Sequence, residues 1–267
     1  MRMFLRSTVV FLRLRSGGLH VAPNLGRATS IDLLYQSQWM KTFNGYVVDA
    51  IEPFAFVVLA TMVMRLIAGR TTESHRWLVV ALVLLALLRV NQVLFYWTSF
   101  YSLRCYDIAV TVILRPLVLA AWVLAWRDWF QLDRRRWLPD AVAVFTALYL
   151  VAALASRPWF MPGAGHGVRA AAEFGVQLAR LAFAALYLWI VGSGVMRAKT
   201  VASWFAALAA VLVGVGLFAT ELNALGLPGI WFPYGVGVAR GHYAYAAFIP
   251  LLFALVLARS SGGRSSR

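Results

Sequence analysis

The run WLVVALVLLALLRVNQVLFYW at residues 77–97 decides the fold class. Crossing about 30 Å of hydrocarbon takes about 20 helical residues, and this run is long enough. It ends on Tyr96 and Trp97, aromatic residues of the kind that gather at headgroups. Its one charge is Arg89. An arginine at the bilayer centre costs roughly 2.5–3.5 kcal/mol on insertion scales, so Arg89 belongs inside a bundle, facing polar partners rather than lipid. Working outward, six further runs have similar length, at about 46–68, 106–126, 137–156, 170–192, 201–222 and 240–258. Short loops force neighbouring helices antiparallel. The expectation is an all-α polytopic membrane protein, a seven-transmembrane-helix bundle.

Composition agrees. The chain has 267 residues, 62% of them hydrophobic and 13% charged, against about one-quarter charged in soluble domains. The formal charge of +15 arises from basic residues that are all arginine except Lys41 and Lys199. They lie mostly in short loops, without the basic stripe and interleaved aromatics of a nucleic-acid surface, so nucleic acid is excluded as a partner. Cys105 is the single cysteine, which excludes an intrachain disulfide and a cysteine-rich metal site.

Orientation follows from the distribution of basic residues. Arg65, Arg70, Arg76, Arg127, Arg134, Arg135, Arg136, Arg197, Lys199, Arg259, Arg264 and Arg267 fall on one side of the expected bundle. Only Arg104, Arg157, Arg169 and Arg240 fall on the other. Basic loops stay in the cytoplasm, so the amino end of the first span is outside, the carboxyl end is cytoplasmic, and the expected location is the plasma (inner) membrane. Residues 1–45 oppose this: Arg2, Arg6, Arg13, Arg15, Arg27 and Lys41 make a basic segment that is hard to translocate. Three readings stand: a start at Met40, an amphipathic cytoplasmic arm, or an organelle-type presequence. The bundle occupies residues 46–258, and residues 259–267 form a disordered cytoplasmic tail.

Depth sharpens the functional reading. Asp49 and Glu52 lie in the first two turns of the first span, three apart and so on one face. Arg115 is well inside the third, just before Pro116. Glu173, Gln177 and Arg180 recur along one face of the fifth, and Glu221 closes the outer end of the sixth. With Arg89, Asp107, Arg104 and Arg240, five acids meet five bases in the outer half, and near-neutrality is what low dielectric demands. Two readings result: an ion-pair network that fixes helix register, or a pocket whose arginines take a small anion through planar bidentate donors. The segment at residues 227–245, LPGIWFPYGVGVARGHYAY, reads as an interfacial loop or as a lid that hangs Arg240 and His242 over the pocket. The candidate ligand-binding residues are therefore Asp49, Glu52, Arg89, Arg115, Glu173, Gln177, Arg180, Glu221, Arg240 and His242.

Other chemistry fails its spacing tests. His20, His75, His166 and His242 form no i, i+4 pair, so neither a metal nor a cofactor is expected. The sequence holds no placed nucleophile, and no catalytic residue is assigned. A retinal pigment would need a lysine in the last span, which has none. The outside-in arrangement over 46–258 resembles the seven-helix membrane sensor modules that bacteria join to phosphatase, kinase or cyclase output domains. That resemblance implies a non-enzymatic receptor whose outer Arg/Glu pocket takes a small anionic ligand, with the bilayer and a separate cytoplasmic signalling protein as partners. A transporter or channel subunit would need polar groups at inner depths. A lipid-modifying enzyme would need Asp49 or Glu52 as an unpaired base.

Overall fold

In hydrocarbon every backbone N–H and C=O must be satisfied within the protein, so apolar runs separated by charged, Pro- or Gly-bearing breaks have helix as their natural state. Every regular element among the described residues of the computed structural model is helical; these are residues 50–65, 75–98, 102–132, 136–163, 165–226 and 240–262. The first helix, α1, is described over 50–65. It is followed by α2 (Arg76–Trp97), α3 (Leu103–Trp129), α4 (Trp137–Ala155), α5 (His166–Met196), α6 (Val201–Leu217), the short α7 (Ala219–Ala224) and α8 (Arg240–Gly262). Five helices are long and apolar enough to cross a membrane, in α2, α3, α4, α5 and α8. At 17 residues α6 is apolar but shorter. The basic segment 1–45, Met40, Asp49, the loop at 227–239 and the tail beyond 262 lie outside the described residues.

The surface is apolar where a soluble protein's would be polar. Phe54, Val151, Phe174 and Leu188 point outward, each more than half exposed, as lipid-facing side chains do. The centre is α3: 61% of its spanning window is buried, against 22% to 39% in the other four. It packs on α2, α4 and α5, while α6 packs along α8 and more lightly on α5. Trp122 and Trp126 are fully buried in α3, stacked on each other with centroids 5.9 Å apart, and Trp122 meets Phe248 of α8 edge-on at 5.5 Å. Aromatic residues near the end of an apolar run are expected at the headgroups, whereas these two are packed in the core. The helix continues past them through the polar Arg127 and Asp128 and ends at Trp129.

Two irregularities position the site. In α3, residues Ile108–Leu114 are a π-helix, and the Arg115 N–H donates to the Val110 carbonyl, five residues back. Pro116 explains it, since a proline ring clashes with the carbonyl four residues earlier and offers no N–H; the wider π turn moves that carbonyl aside and re-phases the rest of the helix. In α6 the helix breaks at Phe218 (φ −105°, ψ 29°) and restarts as α7. Gly214 and Gly216 just before the break weaken the last turns. The expected span 201–222 is thus interrupted.

Those two glycines also have a packing role other than the helix sliding that small residues permit. A Cβ on Gly214 would lie 2.8 Å from Tyr187 Cε1, and one on Gly216 would lie within 2.6 Å of the Tyr245 hydroxyl oxygen. Each glycine is a seat for a buried tyrosine ring.

A candidate anion site lined by three arginines

Arg89 from α2, Arg115 from α3 and Arg180 from α5 line one cavity of about 250 Å³, closed on its other sides by the α6–α7 junction and the start of α8. Arg89 and Arg180 are anchored in different ways. Glu52 of α1 is 3% exposed, and its Oε2 lies 3.2 Å from Arg89 Nε, out of line for a hydrogen bond. Its Oε1 meets His242 Nδ1 of α8 at 2.8 Å. Arg89 also donates through Nη1 to Gln92 Oε1 at 2.9 Å, and its Cζ sits 5.0 Å from the ring centroid of Tyr245. Phe56 of α1 holds that ring edge-on at 5.6 Å. The amino end of α8 is thereby tied to α1 and α2.

Arg180 is held as a fork. Its Nε and Nη2 donate to Oε1 and Oε2 of Glu221 at 2.5 and 2.8 Å, and this bidentate geometry is the strong form of the pair. The helix break at Phe218 brings Glu221 there. On the far side of this pair a second, larger cavity of about 680 Å³ opens between α4, α5 and α7, with Glu173 and Gln177 on its wall. Arg180 and Thr220 line both cavities, so the Arg180–Glu221 pair is the partition between them.

Arg115 is the exception. It lines the inner cavity, yet among the described residues its guanidinium has no carboxylate and no hydrogen-bond partner. Among the described residues three guanidiniums thus face two carboxylates, Glu52 and Glu221, and the surplus positive charge sits on Arg115, whose five donors have no partner there. Val118 and Leu119 complete the lining, and the fully buried Trp122 and Trp126 come after them along α3 toward the basic end.

Of the residues singled out by sequence, the inner cavity gathers Arg89, Arg115, Arg180 and His242, with Glu52 and Glu221 tied to its arginines. Glu173 and Gln177 stand on the outer cavity instead. Asp49 lies outside the described residues, as does the side chain of Arg240. Asp107 leaves the expected cluster altogether: Arg157, at the end of α4, takes its Oδ2 at 3.0 Å. Sequence reasoning missed Gln92, one turn beyond Arg89, although i, i+3 spacing was available to find it. It also misread Tyr245 as interfacial, whereas the ring is 2% exposed; its alignment with Gly216 is a tertiary fact that no local pattern carries. No family model, curated protein or solved structure matches the chain.

Proposed function

We propose that the protein is a seven-span receptor or sensor of the plasma membrane, amino end of the first span outside, whose inner cavity takes a small carboxylate or phosphate. The observation that carries this reading is Arg115, a guanidinium in a walled cavity with no partner among the described residues. A structural network needs every charge paired, because an uncompensated buried charge is costly; a binding site needs one left over. An anion on Arg115 would neutralise the surplus and draw α2, α3 and α5 together through their arginines. It shifts helix packing only so far as it prefers one arrangement, and a separate cytoplasmic protein is the expected reader.

Val118 and Leu119 on the cavity wall, and the buried Trp122 and Trp126 that follow them along α3, favour a receptor over a transporter, which needs a polar route through the inner half. Glu52, engaged by both Arg89 and His242, is a poor general base, which speaks against the lipid-modifying enzyme. The test is thermal unfolding of the purified chain with citrate or succinate against chloride at matched ionic strength. Stabilisation lost in Arg115→Ala and partly kept in Arg115→Lys is expected. Equal stabilisation of wild type and Arg115→Ala, or none in either with Arg115→Ala itself strongly destabilised, sinks the reading.

A further inference from the structure

The opposite end of the bundle carries a second cavity, of about 440 Å³, where the end of α3, the α5–α6 turn and the end of α8 meet. Six of its residues bear on its chemistry: Trp129, Gln131, Arg197, Thr200, Ser203 and Arg259. Two are arginines, and among the described residues no carboxylate lines it. Arg259 is pre-placed, its Cζ 3.9 Å over the Trp129 ring and its Nη1 donating to His75 Nε2 at 2.5 Å. A guanidinium held this way loses little freedom on meeting a ligand.

Arg197 faces it from the α5 terminus, exposed, its guanidinium without a partner among the described residues. Between the two, Ser203 spends its hydroxyl hydrogen on the Thr200 carbonyl at 2.7 Å. Thr200 Oγ1 therefore donates its own hydrogen to Ser203 Oγ at 3.1 Å, a long contact that a phosphate oxygen in the cavity would replace. Gln131 lines the cavity just after α3, at φ 54°, where glycine is common, and its side-chain amide adds a neutral donor to the wall. The amino end of α6 adds its partial positive charge.

We infer that this cavity is a phosphate site, with Arg197 and Arg259 as the charged donors and Thr200 and Gln131 as the neutral ones. Arg259 closes the spanning part of α8, the depth at which the phosphates of lipid headgroups lie, and Leu255 and Trp129 give the cavity an apolar wall. A lipid phosphodiester and a soluble phosphate share the chemistry; the experiment separates them. The site is independent of Arg115 and of the function proposed above.

The test uses the full chain in phosphatidylcholine nanodiscs, with inorganic phosphate titrated against potassium chloride at matched ionic strength. A parallel arm uses nanodiscs of phosphatidylcholine with phosphatidylglycerol. Stabilisation in either arm is expected and is read in the Arg115→Ala background, which removes any phosphate taken by the inner cavity; there Arg197→Ala raises the apparent Kd about tenfold, the loss of one charge-assisted contact. Arg197 is exposed, so its variant should unfold at the wild-type temperature without ligand. A response confined to the phosphatidylglycerol arm identifies a lipid headgroup; one confined to the phosphate arm identifies a soluble ligand. No stabilisation in either arm, or an undiminished response in Arg197→Ala, overturns the site. A response lost in Arg115→Ala but not in Arg197→Ala assigns the phosphate to the other cavity and overturns it equally.

Discussion

Gly216 shows how much of the inner cavity depends on one missing methyl group. The Tyr245 ring rests on it, Arg89 lies over that ring, and Glu52 and His242 complete the contact. Were Gly216 only a loose spot in α6, alanine there would stabilise the helix by about 0.5–1 kcal/mol. The structure demands the opposite sign, because the new Cβ would fall against Cζ and the hydroxyl of Tyr245 and overpacking costs about 1–3 kcal/mol. Gly216→Ala should lower the unfolding temperature and weaken anion stabilisation, and Tyr245→Leu in the same chain should recover part of the loss, a coupling that a double-mutant cycle reads directly. A higher unfolding temperature for Gly216→Ala would show that the tyrosine seat is not needed.

Between elements, the same chain uses irregular turns at one end of the bundle and a cationic clamp at the other. The π stretch before Pro116 and the break at Phe218 aim Arg115 and Glu221 at the inner cavity; an unbroken α-helix would carry both around to other azimuths. At the basic end His75, just before α2, accepts from Arg259 of α8. Its pKa is lowered from the ordinary 6.5, first by burial and then by the Arg259 charge. The folded protein therefore binds this proton less readily than the unfolded chain, so the contribution is fully present above pH 6.5 and is lost as pH falls through the folded value. Unfolding temperatures should drop as pH falls below 6.5, and His75→Gln, which keeps an acceptor without a titrating ring, should flatten the profile. An unchanged slope in His75→Gln would place the acid sensitivity elsewhere.

At the scale of the whole molecule, length and polarity were legible in the sequence and azimuth was not. The run at 137–156 becomes Trp137–Ala155 and that at 77–97 becomes Arg76–Trp97, because hydrocarbon thickness and flanking charges fix helix limits without tertiary detail. The third and fifth runs extend to Leu103–Trp129 and His166–Met196; their last turns carry polar residues such as Arg127 and Asp128, which hydropathy discards and helix geometry does not. That the three arginines shared a depth was readable from spacing. Which carboxylate each would meet was not, since the π turn, the α6 break and the Tyr245 seat set the azimuths. Orientation rests on the basic loops alone, and the chain offers its own probe. Cys105, the single cysteine, is exposed at the start of α3, on the end with few basic residues and opposite Arg197 and Arg259. With the amino end of the first span outside, a membrane-impermeant maleimide should label Cys105 in intact cells, and Cys105→Ser should abolish the signal. Labelling only after permeabilisation would reverse the bundle; the inner cavity would then draw its anion from the cytoplasm, and the phosphate site at the other end would face outward.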